Sequence, residues 1–422
     1  MDGGQATEGQ RQVRRRRVFY IPGYDPIAPR RYRELYRKEG AAQAAISGYA
    51  LELLPAAAGG SYGWQVRAQI EGAETQSDIE VLVWADLVRA SMSNGIPATY
   101  LQMLRTAWTY LATGTLRRLF MLRKGPVIAA LYPVGMLLVQ LLVAALAGLF
   151  AARIVGGALR LLPVSGAAMD AIIAVLSLAA ALLALVAVLR WFRARDNRLF
   201  AYYLMHDYAH SAQAGGAYSP DLEDRMAAFA GRIAAALADD VDEVLVVGHS
   251  SGAHLAVSIL ADLLRAGRVP PGGPALGLLT LGQVVPMLSF LPEAHRLRAD
   301  LQYLSTRREL AWVDVSAPGD GCAFALCDPV AVSGVAPEGK IWPLVISAAF
   351  TRTLSEARWA ELRWRFFRLH FQYLCAFDRP GDYDYFRITA GPMTLADRFA
   401  NRPASQSRID VPVSKYTSVR AA

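Results

Sequence analysis

The sequence has few cysteines and few histidines for its length. Its 422 residues include three cysteines, Cys322, Cys327 and Cys375, and six histidines. This odd, small number of cysteines predicts free thiols and does not indicate a disulfide framework. His206 and His210 lie four residues apart on a predicted helix, but no third ligand accompanies them. The sequence therefore predicts no metal site and no cofactor.

Charge is absent from two long stretches of the chain. Gly125–Ala152 has 28 uncharged residues and Ala171–Leu189 has 19. Each stretch can cross the roughly 30 Å hydrocarbon core of a bilayer as a helix. The alternative, a pair of buried core helices, is disfavoured because uncharged runs of this length are rare in soluble folds. We therefore expect an integral membrane protein with a transmembrane hairpin over residues 125–192.

Basic residues flank this hairpin unevenly. Seven lie outside the two spans and two in the connection between them: Arg117, Arg118, Arg123 and Lys124 before, Arg190, Arg193 and Arg195 after, against Arg153 and Arg160 in the connection. The positive-inside rule then places both chain ends in the cytoplasm and the connection outside. In a bacterium the membrane would be the inner, or plasma, membrane.

The two ends of the chain are polar. Part of the net charge of +8 lies in the basic run Arg14–Arg17. We expect residues 1–15 to be a disordered basic tail, which anionic lipid on the cytoplasmic face could also attract. No nucleic-acid-binding motif accompanies the charge, so no nucleic-acid partner is expected. Residues 401–422 are predicted to form a flexible tail.

Short β-prone segments alternate with helical patterns on both sides of the hairpin. The predicted strands are Arg17–Pro22, Trp64–Ile70, Ile79–Trp84, Val244–Val247, Leu276–Leu281 and Leu310–Ser316. Such alternation predicts an α/β domain with a mostly parallel sheet flanked by helices. We expect one cytoplasmic domain formed by residues 16–124 and 193–400, interrupted by the hairpin.

The most specific motif follows the Val244–Val247 strand. Gly248, His249, Ser250, Ser251 and Gly252 come next, and an apolar helical pattern begins at once. A serine at the apex of a strand–turn–helix has a strained backbone and an exposed hydroxyl. Small residues two positions before and after it relieve the crowding. The motif predicts a nucleophilic serine at position 250.

With its flanks, this motif resembles the nucleophile elbow of the α/β-hydrolase superfamily, which includes lipases, esterases and thioesterases. The resemblance covers residues 16–400 without the hairpin and implies a hydrolase-like fold. In that family the triad follows the chain order nucleophile, acid, histidine. Of the histidines after Ser250, His254 lies one turn into the elbow helix and His295 precedes the last predicted strand. His370 is therefore expected to be the base; the alternative is a histidine packed among aromatic side chains.

The acid is expected in a loop after a late strand. Asp320 follows the Leu310–Ser316 strand and is the first choice, although an aspartate before glycine is also a common turn residue. Asp328 is the second choice. Asp314 lies within the strand itself.

The resemblance also implies an oxyanion hole with two donors. One is the backbone N–H of Ser251, directly after the nucleophile. The other would come from the turn after the first strand, which supplies Gly23 and Tyr24. The glycine run that lipases carry in this loop is missing here.

Together these residues predict a membrane-anchored serine hydrolase that cleaves an ester or thioester through an acyl-enzyme on Ser250. Its expected partners are the lipid bilayer and a small acyl-ester substrate, and the anchor favours a lipid-derived one. Water and another alcohol both remain open as acyl acceptors. The alternative is a catalytically inactive, hydrolase-like membrane scaffold or signalling module. Wide separation of Ser250 from His370 would favour that alternative.

Overall fold

The computed structural model describes residues 12–56, 62–92, 95–164 and 166–420. The described residues form one sheet of eight strands, with the order β2-β3-β4-β1-β5-β6-β7-β8. The strands are β1 (Arg15–Ile21), β2 (Ala50–Pro55), β3 (Gly63–Ile70), β4 (Ala73–Val81), β5 (Glu243–His249), β6 (Ala275–Leu281), β7 (Ala311–Ser316) and β8 (Leu344–Ser347).

The remaining regular structure is helical, and it includes the two long apolar segments of the chain. In chain order they are α1 (Arg30–Ser47), α2 (Ala85–Ser91), α3 (Ile96–Ala112), α4 (Thr115–Leu122), α5 (Lys124–Leu159), α6 (Ala167–Arg193), α7 (Asp196–Leu199), α8 (Ala201–Ala212), α9 (Pro220–Leu237), α10 (Gly252–Arg265), α11 (Val285–Ser289), α12 (His295–Leu304), α13 (Pro329–Val332), α14 (Phe350–Thr353), α15 (Glu356–Leu362), α16 (Phe366–His370), α17 (Tyr385–Ala390) and α18 (Leu395–Phe399). The described residues also contain two short 3₁₀ segments, Gln213–Gly216 and Gln372–Leu374.

The sheet is mostly parallel. From β4 through β1 to β8 every neighbouring pair runs parallel, while β2, β3 and β4 form an antiparallel edge. All seven residues of β5 are buried, as expected for a parallel strand covered by helices on both faces. Because β1 pairs with both β4 and β5, the strands before and after the apolar helices belong to one sheet.

The chain divides into two compact units. The first, Met1–Ala90, Tyr110–Val127 and Ala212–Ala422, carries the whole sheet. The second, Ser91–Thr109 and Ile128–Ser211, carries nearly all of the two longest helices. The inserted unit is therefore larger than the hairpin predicted over residues 125–192.

Helices α5 and α6 are long and apolar enough to cross a membrane. They contain 36 and 27 residues, with mean hydropathy of 2.4 and 3.0 in their most apolar stretches. Only 22% and 11% of those stretches is buried, whereas a core helix of a soluble protein is mostly buried. A Cβ on Gly148 would lie 2.9 Å from the Ala181 carbonyl oxygen, so the two helices pack closely there.

Several predicted boundaries are wrong. Strands β2 and β8 were not predicted, and β4 begins at Ala73 because the chain turns tightly at Glu71 and Gly72, both with positive φ. The polar residues between the two predicted strands therefore pair with β3. The helical sequence pattern over residues 100–122 is divided between α3 and α4 by Gly114, whose φ is 72°.

The ends of the sheet unit also differ from the prediction. Arg15 already belongs to β1, and the buried Arg16 donates to Glu243 Oε2 at 2.5 Å and to the Gly391 carbonyl oxygen at 2.8 Å. Near the C-terminal end, the Ser418 carbonyl oxygen accepts a hydrogen bond from Arg298 at 2.7 Å. The predicted tails are thus wrong for residues 12–15 and 401–420, which bond to the sheet unit. Residues 1–11 lie outside the described part.

Candidate active site

Ser250 occupies a sharp turn between β5 and α10. Its φ is +56°, in the left-handed region that non-glycine residues rarely adopt. The Ser250 backbone N–H donates to the Leu281 carbonyl oxygen at 2.9 Å, which fixes the turn against the end of β6. A Cβ on Gly248 would lie 2.7 Å from Ala253 Cα, and one on Gly252 would overlap the Ile21 carbonyl oxygen. Both glycines are therefore required by packing.

The turn after β1 lies directly against this serine. A Cβ on Gly23 would lie 2.8 Å from Ser250 Cβ and 3.3 Å from Ser250 Oγ. Trp84 supports the turn, because its indole N–H donates to the Pro22 carbonyl oxygen at 2.9 Å and its ring packs edge-on against Tyr24. Ser251 immediately precedes α10, where backbone N–H groups have no acceptor within the helix. Gly23 and Ser251, two of the predicted oxyanion residues, thus adjoin Ser250.

Asp320 and His370 form a buried pair. His370 Nδ1 lies 2.7 Å from Asp320 Oδ2, and the two residues are 6% and 2% exposed. The same carboxylate oxygen accepts a hydrogen bond from the Tyr373 hydroxyl at 3.0 Å, while Oδ1 accepts from the Cys322 backbone N–H at 2.9 Å. These bonds fix the carboxylate in one orientation.

The charge of this pair is set by its surroundings. Burial by itself would raise the pKa of the Asp320 carboxyl. The electrostatic interaction and hydrogen bond with His370, together with the bonds from the Cys322 backbone and Tyr373, more than offset this effect, so the pKa of Asp320 lies below its usual range. Asp320 is therefore ionised at neutral pH, which suits a group that orients an imidazole and stabilises its charged form.

His249 connects the elbow to this pair. Its Nε2 lies 3.0 Å from the His370 carbonyl oxygen, which makes Nε2 the donor, and the two rings are 4.8 Å apart between centroids. Burial, followed by the nearby His370, lowers the pKa of His249 to about 3. His249 is thus a neutral residue whose hydrogen bond holds the main chain of His370 beside Ser250.

Ser250 and His370 share one end of the sheet but are not hydrogen-bonded. His370 Nε2 is buried and has no hydrogen-bond partner within the described part of the chain. A Cβ on Gly282, next to the Leu281 carbonyl that binds Ser250, would lie 3.1 Å from His370 Cε1. Catalytic hydrogen bonds are often long without substrate and tighten when it binds.

The other candidate acids have structural partners. Asp328 accepts from the backbone N–H groups of Val330 and Ala331, both at 3.0 Å, and so caps α13. Asp314 accepts from Thr280 at 2.6 Å, and burial raises its pKa to about 7.

The remaining histidines are placed elsewhere. His254 Nδ1 lies 3.0 Å from the Tyr218 hydroxyl, and His295 begins α12. His206 and His210 both lie on α8.

One group of side chains in the described residues could hold a metal ion. Ligand atoms of Asp320, Cys322 and His370 all lie within 4.8 Å of one another. The group includes both members of the Asp320–His370 pair, so a metal ion bound there would compete with the hydrogen bond between them. The sequence did not predict this proximity, because Cys322 is not at a spacing from other ligand-type residues that is typical of a metal site.

A cavity of about 520 Å³ lies away from these residues. It is lined by the first residues of β7 and β8, whereas Ser250, Gly282 and Asp320 all follow the carboxyl ends of their strands. Two ion pairs lie in its lining, Lys340 with Asp328 at 2.6 Å and Arg408 with Asp410 at 2.8 Å. Its position at the opposite ends of the strands separates it from the serine.

Comparison with known protein families, with characterised proteins and with solved structures finds no match for this chain. The chemistry of the site therefore rests on its own residues.

Three contributors to the site were not predicted. Tyr373 binds Asp320, Trp84 supports the Gly23 turn, and Gly282 leaves room for the His370 ring. Tyr373 could have been found, because it follows His370 by three residues and so lies one turn further along a helical segment. The other two join the site only through long-range folding.

Proposed function

We propose that this protein is a serine hydrolase of α/β-hydrolase type, anchored in a membrane by α5 and α6, which cleaves an ester or thioester through an acyl-enzyme on Ser250. The observation that carries the proposal is the buried Asp320–His370 pair, at 2.7 Å, beside a serine with φ of +56°. Strained serine turns and buried acid–histidine pairs each occur alone. Their presence at the same end of one parallel sheet, after β5 and β7 respectively, in the order serine, acid, histidine, supports nucleophilic catalysis.

In the proposed reaction Ser250 Oγ attacks the acyl carbonyl carbon, and its proton passes to His370 Nε2. Asp320 holds the opposite nitrogen, Nδ1, in its protonated form and stabilises the imidazolium. Backbone N–H groups at Ser251 and the Gly23–Tyr24 turn would bind the developing oxyanion. His370 then returns the proton to the leaving alcohol or thiol, and the acyl group leaves Ser250 on attack by water or another alcohol.

We further propose that the sheet unit and both chain ends lie on the cytoplasmic side. Four basic residues before or at the start of α5, and three in the last turn of α6 or just after it, support this orientation. Arg153 lies inside α5, so the connection between the helices carries even less charge than the sequence pattern indicated. The bilayer anchor favours a lipid-derived acyl substrate.

Turnover of short-chain nitrophenyl esters and acyl thioesters by the detergent-solubilised full chain tests this proposal. Ser250→Ala should lower turnover by at least about 10³-fold, since removing a nucleophile removes the acyl-enzyme route. Ser251→Ala is the matched control, because it keeps the backbone N–H and should remain active. Equal turnover by wild type and Ser250→Ala would show that Ser250 is not the nucleophile.

A second candidate function is a non-catalytic, hydrolase-like membrane scaffold. The observation that favours it is the missing hydrogen bond between Ser250 Oγ and His370 Nε2. It predicts no turnover of any acyl substrate by correctly folded protein.

A further inference from the structure

The segment that carries His370 also covers the loop that carries Asp320. This segment, Glu356–His370, comprises α15, a short linker and α16. Without a side chain at Gly319 the Trp359 ring fits against the loop, since a Cβ there would lie 2.6 Å from Trp359 Cη2. Gly321 leaves room for the Phe366 ring in the same way, because a Cβ there would lie 3.1 Å from Phe366 Cδ1. Two glycines thus receive two aromatic rings.

The linker and α16 also expose aromatic and basic side chains, including the part of the Phe366 ring that does not contact the loop. Trp364 is 73% exposed and Phe366 is 47% exposed. We call the exposed side chains of this linker and of α16 the Arg–Trp face, which consists of Arg363, Trp364, Arg365, Phe366 and Arg368. Over the whole segment four arginines outnumber two glutamates, so its formal charge is +2.

The same Asp320 loop contacts the beginning of the apolar helix α5. A Cβ on Gly125 would lie 3.3 Å from Gly321 Cα, so the first turn of α5 and the loop touch through two glycines. Arg123, just before α5, donates to the Ala325 carbonyl oxygen at 2.8 Å. The Asp320 loop therefore contacts both the Phe366 ring and the first turn of α5.

We propose that the Arg–Trp face lies in the headgroup layer of the membrane that α5 enters, against anionic phospholipid. Exposed tryptophan is favoured at the headgroup level and arginines are drawn to anionic lipid. This inference rests on the proposed membrane-anchored hydrolase, and it specifies the substrate class as acyl esters resident in the leaflet. Such a substrate reaches Ser250 along the membrane surface, beside His370, and does not cross bulk water.

Tryptophan fluorescence of the full chain in nanodiscs tests the position of the face. Brominated lipids quench tryptophan on contact, so wild type should be quenched more than Trp364→Phe. Trp359→Phe is the matched control and should be quenched like wild type, because Trp359 packs against Gly319. Equal quenching of wild type and Trp364→Phe would overturn the proposal.

Activity separates this inference from the proposed function. In nanodiscs containing phosphatidylglycerol, Arg363→Glu/Arg365→Glu should cleave a bilayer-resident acyl ester about tenfold more slowly than wild type, since two attractive charges are reversed. Labelling of Ser250 by a water-soluble fluorophosphonate should stay within about twofold, because the changed residues lie outside the serine site. Absent labelling in wild type would refute the proposed function. Normal labelling with unchanged cleavage of the bilayer ester would refute the membrane role of the Arg–Trp face.

Discussion

His249 Nε2 donates a hydrogen bond to the His370 carbonyl oxygen at 3.0 Å, so the residue before the serine holds the main chain of the histidine. The contact joins the end of β5 to α16, two elements separated by more than a hundred residues. It makes the positions of Ser250 and His370 interdependent, although their side chains are not hydrogen-bonded.

The neutral, buried state of His249 predicts a pH-dependent stability. Its pKa falls from an ordinary 6.5 to about 3 on folding, so the unfolded chain binds the proton first as pH falls. The stabilisation is complete above pH 6.5 and is lost progressively below it. Between pH 7.5 and pH 5 wild type should lose on the order of 2 kcal/mol more than His249→Phe. Thermal unfolding at both pH values measures this difference, with His295→Gln as control; equal pH dependence of wild type and His249→Phe would show that His249 titrates normally.

Tyr373→Phe should slow fluorophosphonate labelling of Ser250 by about tenfold. The substitution removes one hydrogen bond to a charged carboxylate, a contribution of about 1.5–3 kcal/mol, and leaves Asp320 less well oriented. Tyr36→Phe is the matched control, because Tyr36 is another buried tyrosine whose hydroxyl pairs with Thr389. Identical labelling rates for Tyr373→Phe and wild type would show that Tyr373 is not a positioning residue.

Asp320→Asn and Asp328→Asn should have opposite signatures. Asparagine at 320 would favour the wrong histidine tautomer and should slow labelling by about 10³–10⁴-fold. At 328 it weakens the cap of α13 and the ion pair with Lys340, so stability should fall by about 1–2 kcal/mol while labelling continues. Labelling kinetics and unfolding midpoints of both variants decide the matter. Slow labelling of Asp328→Asn together with normal labelling of Asp320→Asn would show that Asp328 is the acid.

The glycines of the chain provide a stability test of the elbow. An alanine at Gly252 would overlap the Ile21 carbonyl oxygen and should destabilise the protein by at least about 2 kcal/mol. Gly231 lies within α9 with nothing within 4 Å of its Cβ position, so Gly231→Ala should stabilise by up to about 1 kcal/mol. Unfolding midpoints measure both effects. Equal stability of Gly252→Ala and wild type would mean that β1 and α10 do not approach as closely as described.

Local patterns predicted the parts of the fold that depend on neighbours in sequence. The strand–serine–helix turn was readable because three adjacent signals agree: an apolar run, small residues around Ser250 and a helical repeat. The sequence also predicted the association of Asp320 with His370, through chain order. The short strand β8 was missed because four residues give too little periodicity, and polar residues hid the first half of β4.

Other features depend on partners far along the chain. Arg16 resembled a tail residue because nothing nearby in sequence shows that Glu243 neutralises it inside the sheet. The support of the Gly23 turn by Trp84 has the same origin, since the two meet only after β1 and β4 pair. The sequence therefore identified the candidate residues better than it identified the contacts that hold them in place.

The most direct test of the central claim is the position of a fluorophosphonate adduct on the full chain, mapped by mass spectrometry of proteolytic peptides. The account predicts a single adduct on Ser250, absent from Ser250→Ala and retained in Ser251→Ala. A folded wild-type protein that takes up no adduct, or carries it on a residue other than Ser250, would contradict the account.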